Sequence, residues 1–330
     1  MKKIRVAQIG TSKYSHGNEI FKTALALSEV FEVVGYALPE GEREKFPDKA
    51  KLFAKHREMT VDEILSDETI DAVFVETEEI YLTKYALMAA EAGKHIHMEK
   101  PGGVSLSDFE RLIETVRNKG SVFHTGYMYR YNPVIKDVIA KARAGEYGDI
   151  ISVEAQMSGW RGEAHTDWLK TFPGGMMFYL GCHLVDLVLA ICGKPKRIIP
   201  FNKSTGVYKT EAKDFSFAVL EYDRGASFVK TTQAERGGFL RRQLVVTGTR
   251  ERVVVEPLEI TVKYPLQYTE YRVCNSEDWN AECDRYRSED HDRYTDMMLD
   301  FAEAVRGKTP DLYTLDYELE LFKTLIECCG

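Results

Sequence analysis

From Lys3 to about residue 126, short β-branched runs alternate with stretches whose apolar residues recur every three or four positions. The runs "KIRVAQIG", "FEVVGYAL", "DAVFVET", "HIHMEK" and "VFHTGY" read as strands, and "GNEIFKTALALSE", "VDEILSD", "YLTKYALMAAEAG" and "SDFERLIETVRNKG" as helices. Thr60 with Glu63 and Ser107 with Glu110 spell capping boxes, and Gly93 and Gly120 suit left-handed helix ends. Strand–helix alternation of this kind predicts an α/β domain over residues 1–126, a Rossmann-type, doubly wound parallel sheet.

Past residue 127 the pattern changes. "YNPVIKDVIAKARAG" predicts a helix capped by Asn132 with Pro133 in its first position, leading into the strand "DIISVEAQMSG". The segment "PGGMMFYLGCHLVDLVLAICG" is an apolar helix whose polar beginning sets Tyr179, His183 and Asp186 at intervals of four and three. Five strand-like runs then follow in close succession, from "DFSFAVLEYD" to "EITVKY", and two helices near 292–306 and 316–328 end the chain. Residues 127–330 thus predict an α+β domain with a mainly antiparallel open sheet. The polar, Tyr-rich segment 268–290 reads as a surface loop or short helix.

Composition narrows the possible functions. With 330 residues and 44% hydrophobic content the chain can bury two cores. A net charge of −8, without a Lys/Arg stripe, argues against a nucleic-acid partner. No apolar run reaches the length of a membrane span and the N-terminus turns polar too early for a signal peptide, so a cytoplasmic location is expected. The six cysteines form no CxxC pair and no regular framework, which predicts reduced thiols and no metal site.

Two motifs carry candidate chemistry. After the first strand, Gly10, Ser12 and Ser15 keep the spacing of a dinucleotide fingerprint, with Thr11 inside the turn. At the end of strand two, where an acid normally meets the adenine ribose, stands Leu38, followed by Glu40, Glu42 and Arg43. An acid there favours NAD and an arginine NADP; both stay open, with a lean to NAD. Glu99, Lys100 and Pro101 end the fourth strand on the edge where open α/β sheets hold ligands, and Pro101-Gly102-Gly103 suits a tight turn around one.

With "EKP" at 99–101, "GYMYRYNPVIKDVIAKARAGEYGDI", "DWLKTFPGGMMFYLGCHLVDLVLAICG", "RRQLVVTGTRERVVVEP" and "DMMLDFAEAVRGKTPDLYTLDYELELF" in this order, the chain resembles the glucose-fructose oxidoreductase, inositol dehydrogenase and rhizopine-catabolism (Gfo/Idh/MocA) family along nearly its whole length. The resemblance implies an NAD- or NADP-dependent oxidoreductase acting on a secondary hydroxyl or ketone of a sugar, cyclitol or related polyol. It also implies a homo-oligomer, dimer or tetramer, formed through the C-terminal sheet. Lys100 matches the family lysine that touches substrate and nicotinamide ribose, His183 the catalytic histidine, and Asp186 the acid one turn further on. Gly10, Thr11, Ser12, Leu38, Thr77, Glu99, Lys100 and Pro101 fall on the cofactor side. Tyr127, Trp160, Arg161, His165, Trp168 and Asp186 are the candidates for holding substrate, since aromatic faces cover apolar sugar faces and polar groups take hydroxyls.

The chemistry is consistent with this assignment. Removing hydride from a carbinol requires a base within reach of the hydroxyl proton, and histidine titrates near neutrality, its neutral form further favoured if it opens a helix. A desolvated lysine beside a cationic nicotinamide would have a depressed pKa. Tyr179 departs from the family, which commonly has an aspartate there; Thr77-Glu78-Glu79 replaces the usual Thr-Pro-Asn, and Tyr129 a frequent arginine. These departures keep two alternatives in play: glycoside cleavage through transient oxidation by a retained NAD, and a non-catalytic dinucleotide-binding regulator.

Overall fold

The computed structural model describes residues 2–330. Two compact units share the chain, one running to Tyr127 and taking in Tyr294–Phe322, the other formed by Met128–Arg293 with Lys323–Gly330.

In the first unit β1 (Ile4–Ile9), β2 (Phe31–Ala37), β3 (Ala72–Val75), β4 (His95–Met98) and β5 (Phe123–Thr125) form a five-stranded sheet in the order β2-β1-β3-β4-β5, every pair parallel. All four residues of β3 are buried, as a strand covered on both faces requires. The connecting helices are α1 (Gly17–Ala26), the short α2 (Glu42–Lys45) and α3 (Pro47–Ala50), α4 (Val61–Ser66), α5 (Leu82–Glu91) and α6 (Leu106–Lys119). Thr60 and Glu63 close the predicted capping box on α4. On α6 the cap is Ser105, not Ser107: Ser105 is extended and its hydroxyl accepts from the Asp108 amide at 3.3 Å. The chain leaves its glycine turn ready to coil two residues earlier than the Ser-x-x-Glu spelling suggested. Phe322 stacks on Phe109 at 4.3 Å and Phe301 meets Phe74 edge-on at 6.0 Å, fixing the C-terminal helical segments to this unit.

In the second unit α7 (Pro133–Arg143) starts at Asn132, whose Oδ1 accepts from the amides of Val134 and Ile135. Eight strands follow in one sheet: β6 (Ile150–Ser158), β7 (Arg197–Lys203), β8 (Phe215–Tyr222), β9 (Gly225–Thr232), β10 (Gln243–Gly248), β11 (Arg252–Val255), β14 (Glu270–Cys274) and β15 (Asp284–Arg287), in the order β15-β14-β11-β10-β6-β9-β8-β7. Every pair is antiparallel except β6 with β9. A smaller antiparallel sheet joins β12 (Ile260–Lys263), β13 (Leu266–Tyr268) and β16 (His291–Asp292). Between β6 and β7 lie α8 (Glu163–Trp168) and α9 (Cys182–Cys192), the latter buried from Cys182 to Ile191 and packed on β6 and β9.

Three expectations are corrected here. Segment 268–290 is not a loop throughout and holds no helix: around a loop at 275–283 it carries the hairpin β14–β15, whose Tyr271 and Tyr286 stack at 5.1 Å. The thiols are not all free, because Cys274 and Cys283 are joined by a disulfide across that hairpin's loop. β7 was not anticipated, since Pro200 interrupts its pattern; a proline is tolerated because β7 is an edge strand.

Candidate active site

The first unit builds a cradle where β1 turns into α1. Gly10 takes φ +91°, and a Cβ on it would lie 2.4 Å from Thr77 Cγ2, so only glycine lets the turn close against the end of β3. Ser12 and Ser15 pin the loop by reciprocal bonds, each hydroxyl accepting from the other's amide, at 3.2 and 3.1 Å. This leaves a tight, buried turn ahead of a ten-residue helix, the arrangement that holds a pyrophosphate. The residues present therefore fit a dinucleotide.

Leu38 gives nothing polar to that cradle; it packs against the cluster of Phe21, Tyr36 and Phe53. The acid comes instead from Glu42. Glu40 and Gly41 both take left-handed backbone (φ 60° and 69°), which turns the chain back so that Glu42, fully buried, places Oε2 3.1 Å from the Thr11 amide. Burial pushes its carboxyl up to about 9, the Thr11 amide opposing the rise. Arg43, the candidate for a 2′-phosphate, is already bound to Glu58 at 2.6 Å and to the Tyr36 hydroxyl at 3.2 Å.

At the carboxyl end of β4, Glu99 and Lys100 are both buried. Glu99 Oε2 accepts from the His16 amide at 2.9 Å and lies 3.2 Å from its ring Nδ1, while Oε1 accepts from the Lys100 amide at 2.9 Å. Burial alone would raise this carboxyl, but His16 and Lys100 hold it at about 2. Its neighbour Glu76, at the end of β3, goes the other way: burial and the Glu99 charge push it well above the ordinary carboxylate range, so Glu76 holds the proton. Glu79 is pushed up to about 7 by burial, which the Lys100 charge moderates. Glu79, in the unusual Thr77-Glu78-Glu79 loop, is thus partly neutral near pH 7. After Pro101, Gly103 turns at φ +74°, and a Cβ there would meet Thr83 Oγ1 at 2.3 Å.

The second unit holds the other candidates. His183 does not open a helix: the turn Met177–Gly181 before it is π-helical and continuous with α9, so a full turn of backbone precedes the histidine and the expected macrodipole effect does not apply. Such wide turns cluster at functional sites, because the extra residue re-aims side chains. Tyr179 lies within that turn, edge-on to His165 at 5.3 Å and to Trp168 at 5.0 Å, with His165 Nδ1 2.7 Å from Gln233 Nε2. Three of the sequence candidates are thereby gathered in one aromatic box, to which Gln233 adds a polar group that no motif marked. Trp160 and Arg161 are exposed beyond it, Trp160 under the Arg236 guanidinium at 4.0 Å and Arg161 bonded through its carbonyl to the Tyr208 hydroxyl. Asp186 is committed to Arg130, whose Nε and Nη2 reach its carboxylate at 2.8–3.1 Å, both side chains buried. Tyr127, in the first unit, is buried at the end of β5.

Against known proteins, residues 4–127 match the model of the oxidoreductase family with an NAD-binding Rossmann fold, and residues 135–254 that of the GFO/IDH/MocA C-terminal domain. The chain belongs to the Gfo/Idh/MocA family, an NAD(P)-binding oxidoreductase class whose dehydrogenases act on CH–OH groups. Among its relatives is scyllo-inositol 2-dehydrogenase (NAD(+)) of Bacillus subtilis (strain 168), 26% identical over 270 residues, covering 78% of this chain and 75% of that protein. Another is scyllo-inositol 2-dehydrogenase (NADP(+)) IolW of the same organism, 27% identical over 169 residues, covering 50% and 46%. The fold matches UDP-N-acetylglucosamine 3-dehydrogenase GnnA from Acidithiobacillus ferrooxidans with TM-score 0.79 at 17% identity, covering 99% of this chain and 97% of that one. No helix among the described residues is long and apolar enough to cross a membrane.

Proposed function

We propose that the chain is an NAD-preferring dehydrogenase of a sugar, cyclitol or related polyol, with Lys100 and His183 handling the proton of the reacting hydroxyl. The observation that carries this reading is a lysine buried at the carboxyl end of β4 in the same unit as a glycine turn that fits a dinucleotide. Bound in that cradle, the nicotinamide supplies the hydride acceptor or donor. Lys100, its backbone held by Glu99 and its charge felt by Glu79, polarises the substrate oxygen. His183 accepts the hydroxyl proton as the carbonyl forms. Tyr179 presents a ring and a phenol to the substrate, and Trp168 and His165 brace it.

The preference for NAD rests on the engagement of Arg43, the candidate for a 2′-phosphate, with Glu58 and Tyr36. A homo-oligomer through the exposed face of the eight-stranded sheet is supported by Phe201, Phe217 and Phe228, whose rings contact one another there at 6.1 and 5.5 Å.

The deciding experiment is dinucleotide reduction, followed by absorbance, across a panel of sugars and cyclitols, with Lys100→Met in parallel. Wild-type protein should turn over a member of the panel. Lys100→Met should lose at least about a thousandfold in kcat while NADH still quenches tryptophan fluorescence. Full activity in Lys100→Met would remove the lysine from the chemistry.

A further inference from the structure

Behind the cradle the first unit buries a row of titratable groups that the reading above does not use. The row begins at Glu76, the residue before Thr77. A Cβ on Gly17 would lie 2.8 Å from Glu76 Cβ and 3.2 Å from its Oε2, so this carboxyl sits directly behind the first turn of α1. Neither of its oxygens has a hydrogen-bond partner among the described residues. On β4 stands His97, wholly buried, whose Nε2 lies 3.6 Å from Glu76 Oε1 and is likewise unmatched. Because β4 and β5 pair in register, His97 is opposite His124, and the two Nδ1 atoms are 2.8 Å apart. His124 Nε2 lies 3.9 Å from Oδ2 of Asp300, a side chain 38% exposed on α10 (Thr295–Val305). Phe74 and Phe301 flank the imidazoles, with ring centres 5.6–6.0 Å away, so the row runs from the cradle to the surface through an apolar sleeve.

Two neutral imidazoles that meet through Nδ1 carry opposite tautomers, one donating and one accepting. The two ends of the row fix which. Burial pushes His97 down to about 4, so it is neutral, and Glu76 holds a proton. His97 Nε2 then offers a lone pair to the Glu76 hydroxyl and its hydrogen is on Nδ1. His124 accepts at Nδ1 and points an Nε2–H towards the Asp300 carboxylate. Every step of the row has a donor facing an acceptor, whereas the opposite polarity would set a bare His124 nitrogen against a carboxylate. The charges that act on Glu76 are Glu99 on β4, Glu79 after β3 and Lys49 of α3, and Asp300 is faced by Lys308 at 3.5 Å.

We propose that His97 and His124 form a proton conduit between Glu76 and solvent at Asp300, through which the cradle exchanges one proton as a dinucleotide binds or leaves. Outward, Glu76 passes its proton to His97 Nε2, His97 passes the Nδ1 proton to His124 Nδ1, and His124 passes its Nε2 proton by way of Asp300 to water. One proton leaves, both imidazoles exchange tautomer and Glu76 becomes a carboxylate; the inward passage is the reverse. The two wider gaps close with side-chain movements of about 1 Å, an ordinary thermal amplitude. A bound pyrophosphate adds negative charge at the start of α1, so protonated Glu76 favours binding and ionised Glu76 opposes it. Without a conduit, a group sealed behind a helix exchanges its proton only when the unit opens locally. The proposal rests on the cradle holding a dinucleotide, as the dehydrogenase reading requires, and is independent of the substrate.

The test is NADH binding, followed by the fluorescence of the bound dinucleotide, in wild type, Glu76→Gln, His97→Phe and His124→Phe. Between pH 6 and 9.5 wild type should lose about tenfold more affinity than Glu76→Gln, the loss common to both belonging to Glu42 and Glu79. The two phenylalanine variants should still show the wild-type pH dependence at equilibrium. After a jump from pH 7 to 9.5 they should release NADH at least about tenfold more slowly than wild type, because Glu76 then waits for local opening. Release as fast as wild type in His97→Phe would overturn the conduit. Nitrogen NMR of the wild-type histidines at pH 7 should find the hydrogen on Nδ1 of His97 and on Nε2 of His124; one tautomer in both, or a cationic His97, overturns it even where the variants do not fold. If NADH binds wild type at no pH, the dehydrogenase reading falls and takes this proposal with it. If NADH binds with the same pH dependence in Glu76→Gln, this proposal alone falls.

Discussion

Glu42 shows what a single buried acid does to this protein. Its folded carboxyl titrates at about 9 against an ordinary 4.5, so the folded chain holds that proton more tightly than the unfolded one. The resulting stability is fully present below pH 4.5 and is lost as the pH climbs towards 9, at up to about 1.4 kcal/mol per pH unit. Glu42→Gln keeps an acceptor for the Thr11 amide but carries no titrating proton. Melting temperatures of variant and wild type should therefore coincide near pH 5 and diverge as pH rises to 9, with the variant the more stable. Some decline will remain in the variant, because Glu76 and Glu79 are shifted in the same direction. Parallel melting curves for the two proteins between pH 5 and 9 would rule out a buried proton on Glu42.

At the level of elements, the capping box on α4 offers a clean local test. Thr60 accepts from the Glu63 amide at 3.1 Å and the Glu63 carboxylate accepts from the Thr60 amide at 2.7 Å. Thr60→Ala should cost about 1 kcal/mol, read from denaturant unfolding with an unchanged slope. That box was legible in sequence because both partners are local. So were the five parallel strands, whose apolar runs are bounded by turn residues, and the Asn132–Pro133 start of α7. Features set by distant partners were not. Ser105 displaces Ser107 as cap because the preceding glycine turn fixes where coiling can begin. The π-turn at Met177–Gly181 leaves no periodic trace, and β14–β15 were hidden because exposed strands dense in charge and tyrosine imitate a loop. The site shows the same division: Gly10, Lys100 and His183 sit in motifs, but Glu42 reaches the cradle only through two left-handed residues.

At the scale of the whole molecule, the eight-stranded sheet is unevenly covered. On β8 and β9, Ser216, Ala218, Leu220, Ser227 and Val229 are buried, whereas the alternating Phe217, Val219 and Phe228 remain partly open, and Phe201 on the edge strand is 47% exposed. Strand side chains alternate in direction, so one face of the sheet is buried in the unit's own core and the other is an aromatic surface in contact with water. A second copy presenting the same face would cover it through a self-complementary contact. Phe217→Glu places a charge at the centre of the Phe201–Phe217–Phe228 row, where pairing would desolvate it without a partner. Light scattering after gel filtration should find wild type as a dimer or larger assembly and Phe217→Glu shifted to monomer at micromolar concentration. Because Phe217 faces away from the unit's core, the substituted chain should keep its circular dichroism and its NADH quenching, which separates loss of assembly from loss of fold. A wild-type protein that elutes as monomer at every concentration would leave this aromatic face without an occupant of its own kind.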